Sequence, residues 1–217
     1  MDTRLIIVRH AQGEGNLKEE FHGQYNSDLT PLGHEQAECT ARFLRDYDID
    51  CAFSSDIARA YSTACHAAKF HGLDVKKAEG LREINAGKWE QVRFTDIQKN
   101  YPGEHRAWTT DMGNFTCPGG ESVRHLQSRV NETIQSLVKS NAGKSILVAT
   151  HATPIRAMLC IWQQLDISDI VKLRWVPNAS VTVVEYDSKD LSFRLDKYAM
   201  CEHLKTCGLL TKLPKII

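Results

Sequence analysis

Leu5-Ile6-Ile7-Val8-Arg9-His10-Ala11-Gln12 is the stretch on which the reading of this chain turns. Four apolar residues run straight into an Arg-His pair. A short apolar run of this kind reads as a buried strand. A guanidinium and an imidazole at the end of such a strand are placed to meet a ligand, since open α/β sheets bind at the carboxyl ends of their strands. The imidazole can serve as nucleophile or base near neutral pH, and the guanidinium is built to grip phosphate or carboxylate. An Arg-His pair on an ordinary surface loop is the competing reading. On this stretch alone it is the better one, and the rest of the chain changes the balance.

Two more strand-like runs end in the same manner. Ser145-Ile146-Leu147-Val148-Ala149-Thr150 ends on His151, and Asp50-Cys51-Ala52-Phe53-Ser54 ends on Ser54-Ser55-Asp56, with Arg59 one turn into the following helix. If these strands are parallel neighbours, their ends converge on one crevice holding two Arg and two His. A cationic site of that density calls for an anion, and phosphate is the natural one. A helix starting near residue 152 would add backbone N–H groups and its positive dipole end.

Strand-like and helix-like segments alternate along the chain, the pattern of an α/β sandwich. Residues 4–9 form the first strand. Thr30-Pro31 opens a helix with Ala37, Ala41 and Leu44 on one face, and Asp56 is positioned to cap a helix running to about His71. Residues 73–78 are a third strand, and residues 88–117 carry two short helices. Ser122 caps a long helix through Val123, Leu126, Val130, Ile134 and Leu137. Residues 153–164 are helical, and 179–186 with 191–198 alternate as a hairpin. The tail, 204–217, could pack on the body, pair subunits or fray, and fraying is the usual fate of a terminus.

Bulk composition narrows the classes. The 217 residues favour one domain, 42% apolar and 25% charged residues are ordinary for a globular chain, and 27 basic residues balance 27 acidic ones. That balance argues against a nucleic-acid partner. No apolar stretch approaches a membrane span, and the apolar run after Met1-Asp2-Thr3-Arg4 is too short for a secretory signal. Seven cysteines without a Cys-x-x-Cys indicate neither a disulfide framework nor zinc, so a reduced cytoplasmic protein with each Cys a small hydrophobe is expected. No Gly-x-Gly-x-x-Gly follows the first strand and no Walker Gly-Lys-Ser/Thr is present, which leaves out the usual nucleotide-cofactor enzymes.

Five blocks, in order, carry a resemblance. They are Val8-Arg9-His10 with Asn16; Gly23 through Asp28-Leu29-Thr30 to Gly33 and Gln36-Ala37; Ser54-Ser55-Asp56 with Arg59-Ala60 and Thr63-Ala64; Leu81-Arg82-Glu83-Ile84 through Gly87-Lys88-Trp89-Glu90; and Thr150-His151-Ala152 with Ile155-Arg156. Pro118-Gly119-Gly120-Glu121-Ser122 and Pro177-Asn178-Ala179-Ser180 add to them. Over residues 4–186 the chain resembles the histidine phosphatase superfamily, also called the phosphoglycerate mutase-like family. The resemblance implies a three-layer α/β/α sandwich with a mostly parallel central sheet, a single domain over 1–217, and residues 88–117 as a lid that selects substrate.

It also implies roles. His10 matches the nucleophile that becomes phosphohistidine, and Arg9, Arg59 and His151 match the phosphate pocket. Glu83 matches the general acid, and Asn16 a further donor to the phosphate. His22, Gly23 and Ala152 would line the substrate side or rim. His34, His66, His71, His105, His125 and His203 match no pocket position, and Trp89, Phe94, Tyr101 and Trp108 are assigned to packing. No metal or other cofactor is expected. The implied partner is a small phosphorylated metabolite, with no nucleic acid and no membrane, and a homodimer stays open.

The chain departs from the common family form, Arg-His-Gly followed by Glu, by having Ala11 and Gln12, and Ala152 follows His151 in place of glycine. Small residues near phosphate are taken to suffice there, and Gln12 is taken to affect rim hydrogen bonds or substrate choice. The short span from Glu83 to Glu121 favours a metal-independent phosphomonoesterase. A cofactor-dependent phosphoglycerate mutase and a non-catalytic phospholigand-binding protein are the alternatives.

Overall fold

The computed structural model describes residues 2–211. The elements in chain order are β1 (Thr3–Arg9), α1 (Glu14–Lys18), β2 (Glu20–Phe21), α2 (Pro31–Leu44), β3 (Cys51–Ser54), α3 (Ala58–Phe70), β4 (Val75–Lys77), β5 (Val92–Arg93), α4 (Phe94–Asn100), α5 (Pro102–Thr110), α6 (Val123–Ser140), β6 (Ser145–Thr150), α7 (Ala152–Trp162), β7 (Val181–Asp187), β8 (Ser192–Met200) and α8 (Glu202–Thr206). Six strands form the central sheet in the order β4-β3-β6-β1-β7-β8. The first four are parallel, and β7 runs antiparallel between β1 and β8.

The side-chain period of two makes β1 serve both faces. Leu5 and Ile7, with Ile146 and Val148 of β6, meet Leu126, Val130 and Ile134 of α6 and Ile155 and Met158 of α7. Ile6 and Val8, with Leu147, meet Ala41 and Leu44 of α2 and Ala67 and Ala68 of α3. Both sides of the strand are therefore apolar, as a buried parallel strand requires. The result is the expected α/β/α layering. No helix among the described residues is long and apolar enough to cross a membrane.

Two helix starts follow the sequence reading. Thr30 Oγ1 accepts from Gly33 N at 3.0 Å with Pro31 in the first helical position, and Ser122 Oγ accepts from His125 N at 3.1 Å. The third start differs. Ile57, not Asp56, is the residue before α3. The Asp56 carboxylate is gripped by Arg82, whose Nε lies 2.7 Å from Oδ1 and whose Nη2 meets Oδ2. A charge-assisted fork outcompetes a single capping bond. Asn26 Oδ1 takes over the open end of α3, accepting from Ala58 N at 2.8 Å.

The segment 88–117 is packed into the main core through Trp89, Ile97, Trp108, Met112, Phe115 and Cys117. The tail packs on the body as far as it is described. Leu204 is fully buried beside Ala37 and Cys39, and Gln36 Nε2 donates to Leu209 O at 2.9 Å. Residues 212–217 of the expected tail lie outside the described residues. One expectation for the cysteines changes. Cys207 is exposed and Cys51 and Cys65 are half-buried, so not every Cys is a buried hydrophobe, and Cys207 Sγ lies 2.7 Å from Cys39 Sγ.

Candidate active site

The parallel register places Arg9 opposite Thr150 and Ser54 opposite Ala149. The ladder continues past the strand ends: His10 N donates to Thr150 O at 2.9 Å and Ser55 N to Ala149 O at 2.9 Å. The ring centroids of His10 and His151 are consequently 5.1 Å apart. His151 Nε2 lies 2.9 Å from Ser55 Oγ, so all three strand ends meet in one cluster.

His10 is held in one tautomer. Its Nδ1 lies 2.7 Å from Ala11 O, a carbonyl that only accepts, so Nδ1 carries the proton and Nε2 the lone pair. Arg59 Nε approaches Nε2 at 3.3 Å. Behind the ring, Asn178 Nδ2 donates to His10 O at 3.0 Å, and Ala179 N donates to Arg9 O at 3.1 Å and His10 O at 3.2 Å. Ala179 reaches this position with φ 57°, a left-handed conformation uncommon for a residue with a Cβ. Burial pushes His10 well below the ordinary imidazole range, and Arg59 and Arg9 push it further, so the ring is neutral. Burial and then Arg59 do the same to His151. The buried Nδ1 of His151 has no protein partner.

Arg9 and Arg59 are 5% and 1% exposed. Arg9 Nη1 donates to Val176 O, while its buried Nε has no partner. Arg59 donates from Nη1 to Tyr25 O at 2.9 Å and from Nη2 to Gly23 O at 2.7 Å. Burial draws each guanidinium down to about 10, which still leaves both charged at neutral pH. Their partners are carbonyl oxygens and, for Arg59 Nε, the His10 ring, not carboxylates. Two buried cations satisfied in this way make a ready seat for an anion, because a buried charge is costly until it is paired.

Asn16 Oδ1 accepts from Gly13 N at 3.0 Å and from Asn178 Nδ2 at 3.2 Å, which leaves its amide N–H groups for the cavity it lines. His22 Nε2 lies 2.7 Å from Ser27 Oγ, and burial followed by Arg59 draws this ring down to about 3. Gly23 has φ +53°, and a Cβ there would lie 2.6 Å from Glu90 Oε1 and 2.8 Å from Ala86 Cβ, so the carbonyl that holds Arg59 depends on glycine. Glu83 Oε1 accepts from Ile84 N at 2.8 Å, and Oε2 accepts from Thr153 N at 3.3 Å at the start of α7. Arg129 of α6 anchors the segment that carries it, donating to Gly80 O at 3.0 Å, Arg82 O at 2.8 Å and Glu83 O at 2.8 Å.

These groups border a cavity of about 620 Å³, open mouth included. Of the residues expected from sequence, Arg9, His10, Asn16, His22, Gly23, Arg59, Glu83 and Ala152 line it. His151 stands behind the His10 ring and is fully buried. Sequence reasoning missed Glu20, Phe21, Thr153 and Trp175 in the lining, and it had assigned Phe94 and Trp108 to packing alone. Thr153 directly follows the His151-Ala152 block, and Trp175 stands two residues before Pro177, so both lay within reach of a motif. No group of three or more residues suited to hold a metal ion occurs among the described residues.

Residues 5–198 match the histidine phosphatase superfamily, branch 1. The chain belongs to this family. Phosphoserine phosphatase 1 of Hydrogenobacter thermophilus is 30% identical to it, covering 86% of this chain and 88% of that one. The 2,3-bisphosphoglycerate-dependent phosphoglycerate mutase of Cytophaga hutchinsonii is also 30% identical, over 85% of this chain and 88% of its own. Among solved structures, the mycobacterial glucosyl-3-phosphoglycerate phosphatase superposes with a TM-score of 0.83 at 27% identity, covering 92% of this chain and 99% of that one.

The departures from the family form have simple places in the fold. Neither Ala11 nor Ala152 has a positive φ, so the replaced glycines were not needed for backbone freedom here. Gln12 is not at the cavity rim. Its Oε1 accepts from Thr30 Oγ1 at 2.7 Å and its backbone N donates to Gln36 Oε1 at 2.8 Å, so it ties the loop after β1 to the start of α2.

Proposed function

We propose that this chain hydrolyses a phosphomonoester through a phosphohistidine on His10, without a metal or other cofactor. The observation that carries the reading is a neutral imidazole, with its lone pair on Nε2, set beside two buried guanidiniums that lack carboxylate partners. In the first step His10 Nε2 attacks phosphorus. The N–P bond forms, the bond from phosphorus to the leaving oxygen breaks, and Glu83 gives that oxygen its proton. In the second step water attacks phosphorus, Glu83 takes the water's proton, the N–P bond breaks, and inorganic phosphate leaves. Splitting the hydrolysis in this way makes each step easier.

Arg9 and Arg59 spread the charge of the transferring phosphoryl group, and little else is required for this reaction. His151 joins them through Nδ1. In this reading Ser55 Oγ, 2.9 Å from His151 Nε2, donates to it and the ring proton sits on Nδ1. Asn16 donates from its amide. His22, Gly23 and Ala152 shape the space around the bound group. The whole chain, 1–217, acts as one domain in this reading, with 88–117 as the substrate-selecting wall. Phosphoserine and glucosyl-3-phosphoglycerate, named in its relatives, enter the substrate screen.

Phosphoglycerate mutase activity is the second reading, favoured by the Cytophaga relative. It would show phosphoryl transfer that depends on a bisphosphate primer and little net phosphate release. The deciding experiment is release of phosphate from p-nitrophenyl phosphate across about pH 5–8 with EDTA present, wild type beside His10→Ala. Release that survives EDTA and is absent in the variant is expected. No release from wild type would refute the phosphatase reading.

A further inference from the structure

Beyond the phosphate end, the cavity changes character. The charged groups that line it are Arg9 and Arg59, which face the phosphate, and the carboxylates Glu20 and Glu83. His22, drawn down to about 3, adds no charge. Lys18 is the nearest additional cation felt by His22, but it is exposed and its Nζ lies 3.3 Å from Glu14. A second anionic group on the substrate would therefore meet no further cation of the lining, which adds the carboxylates Glu20 and Glu83 instead. Partial desolvation without a partner makes that placement unfavourable.

Four aromatic residues, Phe21, Phe94, Trp108 and Trp175, line the same cavity. Phe21 packs edge-on to Trp108 at 5.1 Å and to Phe94 at 5.9 Å, so three of the rings brace one another. Trp175 is braced from behind. The Arg156 guanidinium lies 4.0 Å from its ring centroid and is itself fixed by Ile170 O at 2.6 Å and Leu173 O at 3.1 Å. These contacts give the buried Arg156, which is 1% exposed, a structural task outside the phosphate seat. Rigid aromatic walls favour flat apolar groups because little ordering is left to be done on binding.

We propose that the preferred substrate is the phosphate monoester of an uncharged alcohol carrying a flat aromatic ring, which packs against the aromatic residues that line the cavity. This rests on the phosphatase reading above and narrows it. Glu20 then discriminates against leaving groups that bear a carboxylate or a second phosphate.

The test compares esters of aliphatic alcohols, so that leaving-group acidity does not dominate: benzyl phosphate against phosphoserine, 3-phosphoglycerate and glycerol 3-phosphate. A kcat/KM for benzyl phosphate about tenfold or more above the other three is expected from ring burial. Phe94→Ala should lower the benzyl-to-glycerol ratio about fivefold, mainly through KM, and Glu20→Gln should raise kcat/KM for 3-phosphoglycerate. Equal or better use of phosphoserine or 3-phosphoglycerate overturns the proposal. Binding of benzylphosphonate and 3-phosphonopropionate, which the enzyme cannot hydrolyse, separates the two readings. Without turnover of any ester the phosphatase reading falls, and tighter binding of benzylphosphonate then still supports the preference of the cavity. Equal binding of the two overturns it.

Discussion

Arg129→Met should cost stability and rate by separable routes. The Arg129 fork holds both oxygens of Glu121, Nε to Oε1 at 2.7 Å and Nη2 to Oε2 at 2.8 Å, where the Glu121 side chain is 6% exposed. Removing one partner of a buried pair costs about 3–5 kcal/mol. The low end, about 3 kcal/mol, applies here because Glu121 keeps His125 Nδ1 at 2.8 Å and Asn85 N at 3.2 Å. The carbonyls of Gly80 and Arg82 lose their donor beside a hollow open to water, which limits the further loss. At roughly 2–4 °C per kcal/mol for a chain of this size, Tm should fall by about 6–12 °C. Rate suffers because Glu83 O loses its 2.8 Å donor and is left with Gln24 Nε2 at 3.0 Å, while its carboxylate keeps Ile84 N and Thr153 N, so the residue is held less firmly. A misplacement near 1 Å can cost about a hundredfold, so a kcat drop of roughly 10–100-fold with a smaller change in KM is expected.

The double variant Glu121→Leu/Arg129→Met separates the routes. Removing both charges should restore more than half of the lost stability, since a buried pair is often replaceable by apolar groups. It should not restore kcat, because Glu83 O still lacks the Arg129 donor and keeps Gln24 Nε2 alone. Thermal scans and kcat on one substrate, at one pH, decide it. A kcat for Arg129→Met within twofold of wild type, or a kcat that recovers with stability in the double variant, would refute the positioning argument. Acid provides a further check. Burial alone would lift Glu121, but the Arg129 hydrogen bonds outweigh it and leave its carboxyl below the usual range. The stability this pair carries is therefore full above about pH 4.3 and lost as pH falls through the lowered value, so wild type and Arg129→Met should converge in acid.

Three other outcomes are expected. His10 and His151 are held well below the ordinary imidazole range and His22 at about 3, so the unfolded chain binds more protons than the folded one below about pH 6.5. Stability present above that pH should be lost on acidification, by up to about 1.4 kcal/mol per unit for each ring, and a Tm that is flat from pH 7 to 5 would count against it. Gly15→Ala would place a Cβ 2.0 Å from His22 Nδ1, so the ring must leave the cavity wall. A loss of about 1–3 kcal/mol together with a raised KM is expected, and an unchanged KM would show that His22 does not shape the site. Cys39 and Cys207, with sulfurs 2.7 Å apart, should be the first thiols to couple under added hydrogen peroxide, two thiols giving one disulfide while the peroxide is reduced to two waters. Peptide mapping that finds another pair first would refute it.

What the sequence disclosed and what it hid follow from how far apart the contributing residues lie. The cluster of Arg and His at the strand ends was readable because three parallel strands each carry it at or just past their last residue: Arg9 and His10 at the end of β1, Ser55 and Arg59 after β3, His151 after β6. A buried strand is a dense apolar run, and its end is visible as the place where that run stops. The start of α3 was misread because its competing partners, Arg82 and Asn26, lie 26 and 32 residues from the groups they bind. The aromatic wall escaped for the same reason. Phe21 is on β2, Phe94 opens α4, Trp108 is on α5, and Trp175 stands on the segment before β7, so no local pattern joins them. Each ring alone is as well explained by packing, and Phe21 and Trp108 do pack, at 7% and 4% exposure. The residues to which the reaction is assigned here thus come from the sheet, where order in sequence maps onto order in space. Those that would set substrate choice come from segments brought together only by the packing of 88–117 onto the core. On the proposed reading, substitutions along that wall change the alcohol that is accepted while the strand ends proposed to hold phosphate stay as they are.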